Sequence, residues 1–160
     1  DEALARLARN YFRSHTPATL QDFVWWSGLS VTEAKQGIYL MGSELTEEQW
    51  KGQTWYLHES GRTRGSIKGH IRFLPPYDEL LLGYKDRTDV LPSEHCSKAF
   101  TRNGLFFPVI LYEGQIVGNW DRKVKRNGCD PGYSLFRQES RIDEALLDKA
   151  QQQYMQFLGK

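Results

Sequence analysis

A chain of 160 residues with 39% hydrophobic and 13% aromatic side chains can bury a core, as one medium domain or two small ones, and this excludes disorder by composition. The formal net charge of +1 excludes a uniformly basic surface, so any contact with nucleic acid must come from local clusters of bases. No apolar stretch approaches the roughly 20 residues that span a bilayer, and no signal peptide opens the chain, so no membrane partner is expected.

Cys96 and Cys129 lie far apart without Cys-x-x-Cys spacing, which points to reduced thiols, a cytoplasmic location and no zinc. His58, His70 and His95 have no ligand spacing, and no glycine-rich phosphate loop occurs, so neither metal nor cofactor is expected. Asp1 begins directly inside a helical pattern, and we expect a fragment of a longer protein.

Residues 1–15 are helical by periodicity, with Leu4, Leu7, Ala8, Tyr11 and Phe12 on one face. Pro17 ends that helix, and Thr19 with Asp22 caps the next, at about 20–27. This second helix should bury Leu20, Phe23, Val24 and one of Trp25 and Trp26, and Gly28 should close it with positive φ. Ser30-x-x-Glu33 is a capping box for a third helix with Val31, Ala34, Ile38 and Met41 inward. Strand-like runs Leu45–Trp50 and Thr54–His58 follow, joined through Lys51-Gly52, although Thr46-x-x-Gln49 would also suit a helical turn. Three helices and a hairpin make a winged helix.

The exposed side of the third helix offers Thr32, Lys35, Gln36 and Tyr39, with Lys35 its only base. A helix that reads the major groove usually carries more positive charge, so a structural or protein-binding role is favoured over base reading for this helix. The stretch "SGRTRGSIKGHIR" (60–72) holds Arg62, Arg64, Lys68 and Arg72 with no acid. It would serve equally as a phosphate-tracking loop or as a solvated linker.

Strand Ile71–Leu74 ends at Pro75-Pro76, and Leu80, Leu81 and Leu82 then enter a second core. Asp78, Glu79, Asp86 and Arg87 surround this joint. A carboxylate pair for acid–base work is the sharper alternative, but no nucleophile or metal ligand accompanies it, so a structural joint is preferred. Phe107–Tyr112 and Gln115–Trp120 form a hairpin turning at Glu113-Gly114, and Gly118 signals a bulge or a close backbone approach. A second basic cluster follows at Arg122, Lys123, Lys125 and Arg126, which partial alternation also allows to be the exposed side of a strand. Asn127-Gly128 turns the chain into a strand over Gly132–Gln138. A last helix from about Ile142 to Leu158, capped by Ser140 with Asp143, closes the chain.

"LPPYDELLLGYKDR" (74–87), followed by "GQIVGNW" (114–120) and preceded by "ARNYFRSHTPATLQDFVWWSGLSVTEAK" (8–35), resembles a bacterial family of winged helix DNA-binding domain-containing proteins. That family includes the AlkZ-like DNA glycosylases, which excise alkylated bases and unhook interstrand crosslinks. The resemblance implies the C-terminal half of a longer protein, with the upstream half of the same protein as a partner. The family's catalytic signature, two Gln or a Gln and an acid separated by one residue, belongs to the N-terminal part. Gln151 and Gln153 have the bare spacing but stand at the wrong end, and no catalytic residue is assigned.

The expected architecture is α+β: a winged helix domain at 1–70 and a β-rich domain at 71–160 closed by the terminal helix. The leading functional expectation is a module that binds double-stranded DNA mainly through its phosphates, using Lys35, Gln36, Arg62, Arg64, Lys68, Arg122, Lys123, Lys125 and Arg126. The alternatives are a portion of an AlkZ-like glycosylase whose catalytic motif lies upstream, and a non-catalytic interaction scaffold.

Overall fold

Helix α1 (Glu2–Ser14) forms because its apolar residues recur at helical spacing, and it buries Ala8, Tyr11 and Phe12. A two-residue strand β1 (Ala18–Thr19) leads into α2 (Leu20–Ser27), and then α3 (Val31–Met41) follows. The computed structural model describes residues 1–61, 65–125, 128–137 and 142–157. Both expected caps are present. Thr19 and Asp22 form a reciprocal capping box on α2, and Ser30 and Glu33 form one on α3. Gly28 ends α2 at φ 70°, a left-handed conformation that costs glycine little.

The Ser30 cap has a measurable consequence. Its N–H and hydroxyl donate to Glu33 Oε2 at 2.9 and 2.6 Å, and these two bonds, the hydroxyl first, hold the Glu33 carboxyl below its ordinary value of 4.5. Ser30→Ala should lower stability by about 1 kcal/mol in denaturant melts at neutral pH. A depressed carboxyl pKa stabilises the fold above its unfolded value, and the benefit is lost as pH falls through the folded one. The gap between wild type and variant should therefore narrow below pH 4.5. An unchanged midpoint at neutral pH would contradict the cap.

The hairpin strands are β2 (Leu45–Trp50) and β3 (Gln53–His58), so Thr46–Gln49 is strand and not a helical turn. Lys51 and Gly52 take φ of 50° and 72°, the positive pair of a type I′ turn. The antiparallel sheet has the order β1-β3-β2. Against it pack Tyr11, Phe12, Phe23, Ala34 and Met41. Two burial expectations are corrected. Trp25 and Trp26 are 53% and 37% exposed, because Phe23, with Leu20 and Val24 packed beside it, fills the core side of α2; Trp26 instead lies 5.1 Å from the Tyr11 ring. In α3, Val31 is exposed and Gly37 is buried. A methyl group on Gly37 would stand 3.3 Å from Ala8 Cβ, so glycine lets α1 approach α3 closely.

The second sheet is antiparallel with the order β4-β5-β6-β7: Ile71–Leu74, Val109–Tyr112, Gln115–Lys125 and Gly128–Leu135. β5 starts two residues later than expected, since Pro108 brings no N–H to a ladder. β7 starts earlier than Gly132, because Asp130-Pro131-Gly132, which reads as a turn, is accommodated in an edge strand. Short helices α4 (Glu79–Leu82) and α5 (Cys96–Ala99) come before β5, and α6 (Glu144–Phe157) closes the described chain. Asp143 Oδ1 accepts from Ala145 N–H at the start of α6; the expected partner Ser140 lies outside the described residues, as do Asn127 and Gln138. One core cluster contains Ile71, Ile110, Trp120, Leu147 and Ala150, and another Leu81, Leu91, Ala99, Val109 and Ile116.

The chain divides into two units. The first comprises Asp1–Gly65 with Leu82–Asp86, and the second Ser66–Leu81 with Arg87–Lys160. The described residues thus form an α+β fold of six α-helices and two antiparallel sheets.

Candidate nucleic-acid interface

The stretch 74–87 is divided between the units, and each part is held by its own unit. In the first unit, Tyr11 donates from its hydroxyl to Gly83 O at 2.9 Å, and Trp25 Nε1 donates to Leu82 O at 3.2 Å. Asp22, only 3% exposed, accepts from Lys85 N–H through Oδ1 at 2.8 Å. In the second unit, Asp78 Oδ1 accepts from Leu80 N–H, and Arg87 donates to Leu81 O while its guanidinium lies 5.3 Å from the Phe100 ring centroid. Asp78 and Arg87 are therefore engaged in local structure.

"GQIVGNW" also has an architectural explanation. Gly114 takes φ 80° at the β5–β6 turn. Val117 is the extra residue of a bulge, since Leu111 pairs with Ile116 but Ile110 with Gly118. A methyl group on Gly118 would lie 2.5 Å from Ser134 O, so the anticipated bulge and close approach both occur. Asn119 Nδ2 donates to Pro108 O at 2.9 Å, and Trp120 Nε1 donates to Leu74 O at 2.7 Å.

The structure places the expected DNA-contacting residues as follows. Lys35 and Gln36 are exposed on α3, beside Tyr39 at 78% exposure. Lys68 is exposed in the loop before β4, in the second unit. Gly69 N–H donates to Glu113 Oε1 at 2.6 Å, which brings an acid from a distant turn beside a stretch that has none of its own. Arg122 is exposed on β6, and Lys123 and Lys125 follow on the same strand. The backbone register pairs Lys123 with Asp130 and Arg122 with Pro131. Arg62, Arg64 and Arg126 lie outside the described residues.

Elsewhere in the first unit, a groove of about 430 Å³ is lined by Thr16, Ser43, Glu44, Glu48, His58 and Glu59. Arg9 grips Glu44 with Nε and Nη2 at 2.7 Å each, and this hydrogen bonding is the main reason the Glu44 carboxyl is held below the ordinary carboxylate range. Three carboxylates around one groove disfavour a phosphate there. Among the described residues no group of three or more His, Cys, Asp or Glu could hold a metal ion. No described helix is long and apolar enough to cross a membrane. Gln151 donates from Nε2 to Pro131 O at 2.6 Å, tying α6 to β7, and Gln153 is exposed on α6; neither has catalytic surroundings.

Sequence reading missed the tip of the β2–β3 hairpin. Trp50 is 50% exposed there, Trp55 meets it edge-on at 5.5 Å, and Lys51 Nζ lies 4.2 Å from the Trp50 ring centroid. The signal was the heptad "QWKGQTW", in which every side chain is aromatic, amide, hydroxyl or cationic.

The fold and these surfaces define an α+β chain with two antiparallel sheets and dispersed basic elements. Residues 1–157 match the family described as "DNA glycosylase AlkZ-like", and the chain belongs to that family. It is 30% identical over 128 residues to the "Interstrand DNA cross-link repair glycosylase" of Streptomyces sahachiroi, covering 76% of this chain and 34% of that protein. The solved structure of Streptomyces sahachiroi DNA glycosylase AlkZ is similar with a TM-score of 0.76 and 26% identity, over 94% of this chain and 41% of that one. The chain thus spans about a third to two fifths of the length of these relatives.

Proposed function

We propose that this chain is the DNA-engaging portion of an AlkZ-like DNA glycosylase that acts in base excision or crosslink repair. The observation that carries this reading is the family match over residues 1–157, together with the likeness to a crosslink-repair glycosylase of which the chain covers only 34%. In this reading the first unit is a winged helix, with α1 to α3 as its helices and β2–β3 as its wing. The second unit is the β-rich companion. Base-excision chemistry belongs to the upstream part, where the family resemblance puts the Gln-x-Gln or Gln-x-acid motif. The engaged state of Gln151 supports that division.

The DNA contact is chiefly to phosphates. Lys35 and Gln36 contribute from α3, Arg62, Arg64 and Lys68 from the loop, and Arg122, Lys123, Lys125 and Arg126 from the ribbon. Exposed Lys35, Lys68 and Arg122 suit a backbone contact that positions the protein without reading sequence. The Lys68 loop has Glu113 beside it, so the contact there is moderate and sensitive to salt.

The test is to incubate the chain with duplex DNA carrying alkylated purines. The expected result is a retarded complex and no released base by chromatography. Base release by this chain alone would overturn the assignment of chemistry to the upstream part, and absence of any complex at low salt would overturn the DNA-engaging role.

A further inference from the structure

The hairpin tip combines three properties that the proposed contact through phosphates does not use. First, it presents a large apolar face at a fixed place. Trp50 is 50% exposed, and Trp55 holds it edge-on while donating from Nε1 to Trp50 O at 3.3 Å. The type I′ turn at Lys51-Gly52 and the Gln49 Nε2 to Thr54 Oγ1 bond at 2.8 Å fix the strands on either side. An indole ordered in advance loses little conformational entropy when a flat partner stacks on it. Second, a cation accompanies the ring, with Lys51 Nζ 4.2 Å from its centroid. Third, the acids are kept to the base of the hairpin. Residues 49–55 include none, while Glu44, Glu47, Glu48 and Glu59 lie below the tip along the chain. Glu48 pairs with Trp55 in register, so the repulsion of phosphate begins just under the tip and limits the contact to the end of the hairpin.

A flat aromatic face with a cation over it fits a nucleobase beside its phosphate. In an intact duplex the base faces are covered by their neighbours. They become available where a base is missing, unpaired or extruded. We infer that Trp50 and Lys51 form a stacking contact for a nucleobase exposed at a gap in duplex DNA, Trp50 covering the base and Lys51 facing the adjoining phosphate. This rests on the DNA-engaging reading above, and adds to it a preference for damaged over intact duplex.

The experiment is a fluorescence anisotropy titration with two labelled duplexes of one sequence, one intact and one carrying a tetrahydrofuran abasic-site analogue opposite a purine. Wild type should bind the abasic duplex about tenfold more tightly, a typical worth of one base–aromatic stack. Trp50→Ala should abolish that preference while leaving the affinity for intact duplex within about twofold, and Trp50→Phe, which keeps a ring, should retain most of it. Lys51→Ala should weaken both duplexes alike. If wild type binds both duplexes equally, or if Trp50→Ala keeps the preference, the stacking role is overturned while the DNA-engaging reading stands. If wild type binds neither duplex at low salt, that reading fails and the stacking role with it.

Discussion

Asp22→Ala should destabilise the first unit by about 2–4 kcal/mol, a large loss for a single carboxylate. Asp22 is 3% exposed and serves two purposes. Its Oδ2 accepts from the Thr19 N–H at 2.9 Å and the Thr19 hydroxyl at 2.7 Å, which closes the cap of α2. Its Oδ1 accepts from Lys85 N–H at 2.8 Å, which anchors Leu82–Asp86 to the first unit. Alanine removes a cap worth about 1 kcal/mol and leaves donors around a buried site without their acceptor, at about 1–3 kcal/mol. Asp22→Asn keeps one acceptor oxygen and should lose about half as much. Denaturant melts followed by tryptophan fluorescence measure both. A loss below about 1 kcal/mol in Asp22→Ala would show that the Lys85 anchor contributes nothing.

Gly118→Ala should cost the second unit about 3 kcal/mol, at the upper end of what one added methyl usually does. The added carbon would stand 2.5 Å from Ser134 O and 3.1 Å from Leu135 Cα. Both are backbone atoms of β7, and Gly118 pairs directly with Leu135, so no side-chain rotation relieves the clash. The strands must part where the Val117 bulge already bends β6. Arg122→Ala, at an exposed position on the same strand, serves as the control and should change stability by no more than about 0.5 kcal/mol. Equal midpoints for Gly118→Ala and the control would mean that β6 and β7 have room between them for a methyl group.

Local signals made the first unit legible. Thr19/Asp22 and Ser30/Glu33 are caps that depend on neighbours three residues apart, and Lys51-Gly52 sets a turn by its own backbone preferences. Burial was less legible where it depends on a crossing of elements. Gly37 is buried because α1 lies against it, and Trp25 and Trp26 face outward because Phe23 takes the core. Pro131 hid the start of β7, since its tolerance depends on β7 being an edge strand, a property of the whole sheet. The candidate interface was legible as clusters of bases, but not the acid that topology brings beside one of them: Glu113 reaches the Lys68 loop from a turn. The Trp50–Lys51 tip was not legible because charge counting gives weight to runs of bases and none to a single cation beside an aromatic ring.

The central claim, that this chain engages duplex DNA through phosphates, is tested most directly by anisotropy titration of a duplex across a series of salt concentrations. Wild type should bind with an affinity that falls steeply as salt rises and depends little on sequence. Replacing Arg62, Arg64 and Lys68 together by alanine should flatten the slope of log K against log salt by up to about 3 units, one for each phosphate no longer neutralised, and Lys35→Ala by about 1 at most. No binding by wild type at low salt would contradict the claim and favour an interaction scaffold. Binding abolished only in Lys35→Ala would contradict the placement of the contact on the loops and return it to α3.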